Sequence, residues 1–199
     1  SENGSRNQQS IVARSLLTLD VDHIVDTQLI AALQENRLPG MDAEAFVYST
    51  RSHAPEQPRI RIVAPFSRMV DQEEYDAISR IVADWIDPGL AQTDSASSLA
   101  AQMMYLPSIS RDQKFLAFRQ AGQLLDPDKI LTGVDLNNTS DPTVPLYPKE
   151  RQRRLRTGGQ LGDPGKKSGV VGAFCRAYDV AAAIGAYLPG IYRPTSEPG

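Results

Sequence analysis

Two periods of apolar residues run along this chain, one near 2 and one near 3.6, and their order predicts strands interleaved with helices. Ile11–Val21 reads as the first strand, with the run Leu16-Leu17-Thr18-Leu19-Asp20-Val21-Asp22 as its centre. Over residues 26–37 the apolar positions Val25, Leu29, Ile30 and Leu33 fall at helical spacing, and Pro39-Gly40 stops the element. Ala45–Ser49 predicts a second strand. Arg59–Val63 alternates charged and apolar residues, which predicts a strand with one wet or ligand-facing side. Thr50–Pro58 between them is rich in turn formers. Asp71–Ile86 carries the clearest helical signal: Asp71 with Glu74 has the spacing of a capping box, and Tyr75, Ile78, Val82 and Trp85 form a stripe widened by Ile81 and Ile86. Short strands are expected at Met103–Leu106 and Phe115–Phe118. A short helix opens at Asp126-Pro127 and ends near Leu131. Residues 132–169 read as irregular, and Val170–Tyr187 as helical again. The fold class expected is α+β, a mixed α/β core of a sheet packed by helices.

Composition changes the picture in three places. With 199 residues, 41% of them apolar, the chain suits a soluble globular protein, and no apolar run reaches the roughly 20 residues a membrane span needs. The single cysteine, Cys175, excludes a disulfide framework and an all-cysteine zinc site, and its apolar surroundings predict a packed small residue. The start, SENGSRNQQS, has no apolar export signal, so a cytoplasmic setting is the expectation.

A net charge of -3 argues at first against a nucleic-acid binder. The charge is uneven, however. Residues 1–120 hold 16 of the 24 acidic side chains but only 11 of the 21 basic ones, so the remainder of the chain is basic. The run Lys149–Arg156 sets five basic residues against Glu150. Such a run suits a solvated linker or a phosphate-contacting patch.

The candidate chemistry lies in the first half. Asp20 and Asp22 are two apart on a strand, so both point to one face, with Leu19 and Val21 facing the other way. Adjacent carboxylates repel, and a divalent cation between them relieves the repulsion, which makes a strand-borne D-x-D a platform for two-metal phosphoryl chemistry. The same pattern also suits a strand end that meets solvent. His23 reads as structural and Asp26 as the cap of the next helix. Arg59 and Arg61 likewise share a face, and Ser49, Ser52 and His53 are expected in the loop that precedes them. Guanidinium forks suit phosphate oxygens, but two such arginines can equally pair with carboxylates.

These stretches, LLTLDVDHI, YSTRSHAPEQPRIRIVAPF and an Asp ahead of MMYLPS, resemble the archaeo-eukaryotic primase superfamily. The primase-polymerase domains of phage and plasmid replication proteins are the nearer likeness. The D-x-D motif matches at Asp20 and Asp22. The small-x-His motif falls on His53, although Arg51 occupies the small-residue position. The third motif aspartate falls on Asp94. The position before the Met-Met-Tyr-Leu-Pro segment, usually arginine, is Gln102 and receives no role. The stretch from Gly162-Asp163-Pro164 into VVGAFCRAYDV also resembles the segment C-terminal to such catalytic cores. The resemblance implies an RRM-like sheet packed by helices, with a catalytic core at 1–131, a basic Gly/Pro-rich linker at 132–169 and a C-terminal helical segment at 170–199. It implies two magnesium or manganese ions on Asp20, Asp22 and Asp94, and a nucleoside triphosphate on Ser49, Ser52, His53, Arg59 and Arg61. Single-stranded DNA would be the template, and a helicase domain is a common downstream neighbour. Relatives carry more chain before the D-x-D than the 19 residues present here, so part of the catalytic subdomain is expected to be missing. Two other functions draw on the same residues: a single-strand or origin-binding module without catalysis, and a metal-dependent nuclease.

Overall fold

The computed structural model describes residues 11–22, 24–108, 112–138, 141–158 and 169–189. His23 and the Gly162-Asp163-Pro164 segment lie outside the described residues. The chain divides into two compact units, Ser1–Glu150 and Arg151–Gly199.

The first unit is built on a four-stranded antiparallel sheet. Its elements are β1 (Arg14–Val21), α1 (Thr27–Gln34), β2 (Ala45–Ser49), β3 (Ile60–Val70), α2 (Gln72–Ile86), a 3₁₀ turn (Ser95–Ser98), β4 (Ala117–Gln120) and α3 (Pro127–Ile130). Strand order is β1-β3-β2-β4. Because β1 and β2 both run antiparallel to β3, they are parallel to each other and are joined through α1, a split β-α-β arrangement. Strand β4 pairs with the outer edge of β2. The outer edge of β1 is taken by residues 92–94 through a bridge between Val21 and Thr93. The mixed α+β class therefore stands.

Alternation assigns the two sheet faces. Leu17, Leu19 and Val21 of β1, Ile60, Ile62, Ala64 and Phe66 of β3, and Ala45 and Val47 of β2 are buried on one side. They form a single core with Leu29 and Leu33 of α1 and Tyr75, Ile78, Val82 and Ile86 of α2. The second face carries Leu16, Thr18, Asp20, Arg61, Val63, Phe46, Tyr48 and Arg119 by the same alternation and register. It is only partly covered, for Leu16 is 42% and Phe46 43% exposed.

Several element boundaries differ from the periodic reading for identifiable reasons. Helix α1 ends at Gln34, three residues early. Asn36 takes a left-handed conformation (φ 55°), and the Arg37 and Asn36 N–H groups close a Schellman motif on the carbonyls of Ala32 and Leu33. Strand β3 runs seven residues past Val63, through Pro65. The Pro65 carbonyl points toward the Leu125 N–H, away from β1, so the missing proline N–H costs the β1 ladder nothing. The α2 stripe rotates: Trp85 is 39% exposed, and Ala83 with Ile86 takes its place in the core. Gly40 (φ 69°) lies against this turn, where an added Cβ would stand 2.2 Å from the Trp85 carbonyl oxygen.

Met103–Leu106 forms no strand; the Tyr105 carbonyl within it is bonded by side chains of the sheet instead. Strand β4 lies two residues later than expected, with Phe118 in the core. Residues 148–158, expected as linker, form helix α4 (Pro148–Gly158), since Pro148 suits a first helical position and the next eight residues are good helix formers.

In the second unit the expected helix from Val170 to Tyr187 is two, α5 (Gly169–Ala177) and α6 (Val180–Tyr187). Asp179 interrupts it by accepting the Ala182 N–H as an N-cap. Phe174, Tyr178 and Tyr187 meet as a ring cluster with centroids 5.3–5.8 Å apart. Cys175 is half-buried and free. No helix among the described residues is long and apolar enough to cross a membrane.

Candidate nucleic-acid interface

The D-x-D of β1 and the R-x-R entering β3 are interlocked. Asp20 and Arg61 are direct cross-strand partners in the β1–β3 ladder. Such partners stand about 5 Å apart at Cβ, so a carboxylate and a guanidinium there meet fork to fork. Arg61 Nε donates to Asp20 Oδ1 at 2.6 Å and Nη2 donates to Oδ2 at 2.8 Å. The pair is largely removed from water, with side-chain exposures of 10% for Arg61 and 16% for Asp20. Burial alone would lower the Arg61 pKa. The hydrogen bonds and charge of Asp20 outweigh it and hold the guanidinium above its ordinary range, hence permanently charged. Asp22 and Arg59 repeat the pairing more loosely, at 3.8 Å and with more exposure.

The third Arg61 nitrogen reaches across the second face. Its Nη1 donates to the backbone carbonyl of Tyr105 at 2.7 Å, and the Tyr48 hydroxyl donates to the same oxygen at 3.1 Å. The Arg61 guanidinium also lies 5.9 Å from the Tyr48 ring centroid. One carbonyl of the irregular 102–108 segment is thus held by two side chains of the sheet. Between that segment and the loop after β2 lies a groove of about 720 Å³. It is lined by Tyr48, Thr50, Arg51, Ser52 and Arg61 and by Met104–Ser108.

The structure separates the expected site residues. Asp94 comes beside the D-x-D: its N–H donates to the Asp20 carbonyl at 2.9 Å, and its side chain accepts the Ala96 N–H to cap the 3₁₀ turn. Ser52 lines the groove with Arg61. Ser49 does not. It is fully buried in β2 and its Oγ accepts the Leu116 N–H, so it serves sheet pairing. His53 also faces elsewhere. Its Nδ1 accepts the Arg59 N–H at 3.2 Å, and the residue borders a separate cavity of about 320 Å³ with Ile30, Leu33, Lys114 and Phe115.

A cation pair on Asp20, Asp22 and Asp94 would have to displace Arg61 from Asp20 in this arrangement. Both Asp20 oxygens are engaged by Arg61, and Asp94 is engaged in its cap. Among the described residues, no group of three or more His, Cys, Asp or Glu side chains is placed to hold a metal ion.

One organising residue carries no signal in sequence beyond a turn. Asp87 in Asp87-Pro88-Gly89 is only 2% exposed. Its carboxylate accepts from the Gln92 N–H and side-chain amide and from the Thr93 N–H and hydroxyl, at 2.7–3.0 Å. Four bonds satisfy the buried charge and fix the strand edge that sets Asp94 against Asp20.

No curated protein and no solved structure matches the chain. A family model described as the VapE N-terminal domain matches residues 1–142, the stretch that contains the whole sheet, the interlocked ion pairs and the groove. The chain therefore belongs to the VapE N-terminal domain family, which is associated with phage and plasmid replication.

Proposed function

We propose that this chain holds single-stranded DNA and nucleoside triphosphates on the second face of its sheet, as a primase-polymerase-type domain whose reaction is template-directed nucleotidyl transfer. The observation that carries the reading is the groove beside the interlocked D-x-D and R-x-R, where arginines, hydroxyls and tyrosines converge. Phosphate oxygens suit Arg51 and Ser52, which are exposed in the loop, and bases suit the aromatic side chains. Arg61 is pre-positioned by Asp20, and its remaining nitrogen, Nη1, holds the Tyr105 carbonyl at the groove.

The engagement of Asp20 by Arg61 favours a second reading, a single-strand-binding module without chemistry. The two separate in one assay. Primed and unprimed single-stranded templates are incubated with nucleoside triphosphates and magnesium or manganese, and extended or newly made strands are sought. Asp20 is a poor choice for the control, because its removal strands a buried arginine. Asp22 is 39% exposed at its side chain and its loss leaves the buried pair intact. Synthesis by the unaltered protein that Asp22→Asn abolishes supports transfer. Template binding with no synthesis supports the binding module, and degradation of labelled DNA without nucleotides supports hydrolysis instead.

A further inference from the structure

Tyr105 combines a fixed backbone with an exposed ring. Its carbonyl is pinned from below by Arg61 Nη1 and the Tyr48 hydroxyl. The residue is nevertheless 76% exposed, at the rim of the groove, next to Leu106 at 86%. An exposed tyrosine alone is unremarkable, but here the sheet supplies two hydrogen bonds to hold the main chain of a residue that lines the groove together with Arg51. Arg51 and Ser52, both exposed, line the same groove. A single strand laid in such a groove can present phosphates to Arg51 and a base to the Tyr105 ring. Base-on-ring stacking is insensitive to sequence, because every base has a π face.

We infer that the Tyr105 ring is a stacking platform for a nucleobase of single-stranded DNA. Arg61 positions it by holding its carbonyl. This inference rests on the proposed interface and adds to it the residue that reads the base rather than the phosphate. It also couples the D-x-D strand to base binding, since a single guanidinium spans Asp20 and Tyr105.

The experiment is fluorescence anisotropy on the full chain with two labelled strands of equal length, oligo-dT and an abasic oligonucleotide carrying the same phosphates. Tyr105→Ala should weaken oligo-dT binding by roughly tenfold and leave the abasic strand unchanged, the loss expected for one stacked base. Tyr105→Phe keeps the ring and should bind oligo-dT as the unaltered protein does. Equal urea midpoints for the three proteins show that the differences are not folding defects. If Tyr105→Ala weakens both strands alike, or neither, the stacking role is overturned while the interface stands. If the unaltered protein binds neither strand, the interface itself is wrong and the stacking role falls with it.

Discussion

Replacing Asp20 by Asn tests whether the buried ion pair is a rigid strut of the second face. The substitution keeps size and shape but removes the charge that two Arg61 nitrogens share at 2.6 and 2.8 Å. Arg61 stays charged, since a guanidinium does not give up its proton in a protein even without a partner carboxylate. With a side chain only 10% exposed, it has little access to water as compensation. Breaking a buried pair from one side typically costs about 3–5 kcal/mol, against about 0–1 kcal/mol for an exposed one. The residual exposure of both partners places this case near the lower end, about 3 kcal/mol. With a urea slope on the order of 2 kcal/mol per molar, the midpoint should fall by about 1.5 M. The assay is urea unfolding followed by circular dichroism, at low and high salt, because a buried pair is screened little. The double replacement Asp20→Leu with Arg61→Met should recover most of the loss, as apolar isosteres of a buried pair commonly do. A loss under about 0.5 kcal/mol for Asp20→Asn, the range of an exposed pair, or a marked salt dependence of the wild-type midpoint, would refute the strut.

Other consequences concern single sites. Asp87→Ala leaves the Gln92 and Thr93 donors without their acceptor, and should cost about 2–3 kcal/mol and speed amide exchange at residues 92–94. Glu74 accepts two bonds from Arg68, which hold its carboxyl below the ordinary value of 4.5. Its contribution is therefore present above about pH 4.5 and lost as pH falls through the lower folded value. Glu74→Gln should flatten the stability curve in that acid range and nowhere above it. Gly40→Ala forces a Cβ against the Trp85 carbonyl at a positive φ, and should lower stability by more than about 1 kcal/mol, read as a lower thermal midpoint.

The fold class was legible because the core alternates cleanly. Leu17, Leu19 and Val21 on β1, and Ile60 and Ile62 on β3, announce a one-sided sheet, and the capping box at Asp71–Glu74 is present as spaced. The pattern around Arg59 and Arg61 allowed two kinds of partner, phosphate or carboxylate. Tertiary register decided it, by placing Asp20 opposite Arg61, which a period-2 pattern within each strand does not reveal. Ser49 illustrates the opposite failure. A serine closing a strand looks like a loop donor, yet its backbone and hydroxyl complete the pairing to Leu116. Tyr105 was hidden for a third reason: MMYLP reads as strand, whereas its carbonyl is satisfied by side chains from two other strands.

The central claim is that nucleic acid lies on the second face of the sheet. Hydrogen exchange of the full chain with and without a saturating single-stranded oligonucleotide tests it most directly. The account predicts slowed exchange at residues 50–52 and 103–108, with the helix-packed core unchanged. Protection confined to other segments, or none at saturation, would contradict it.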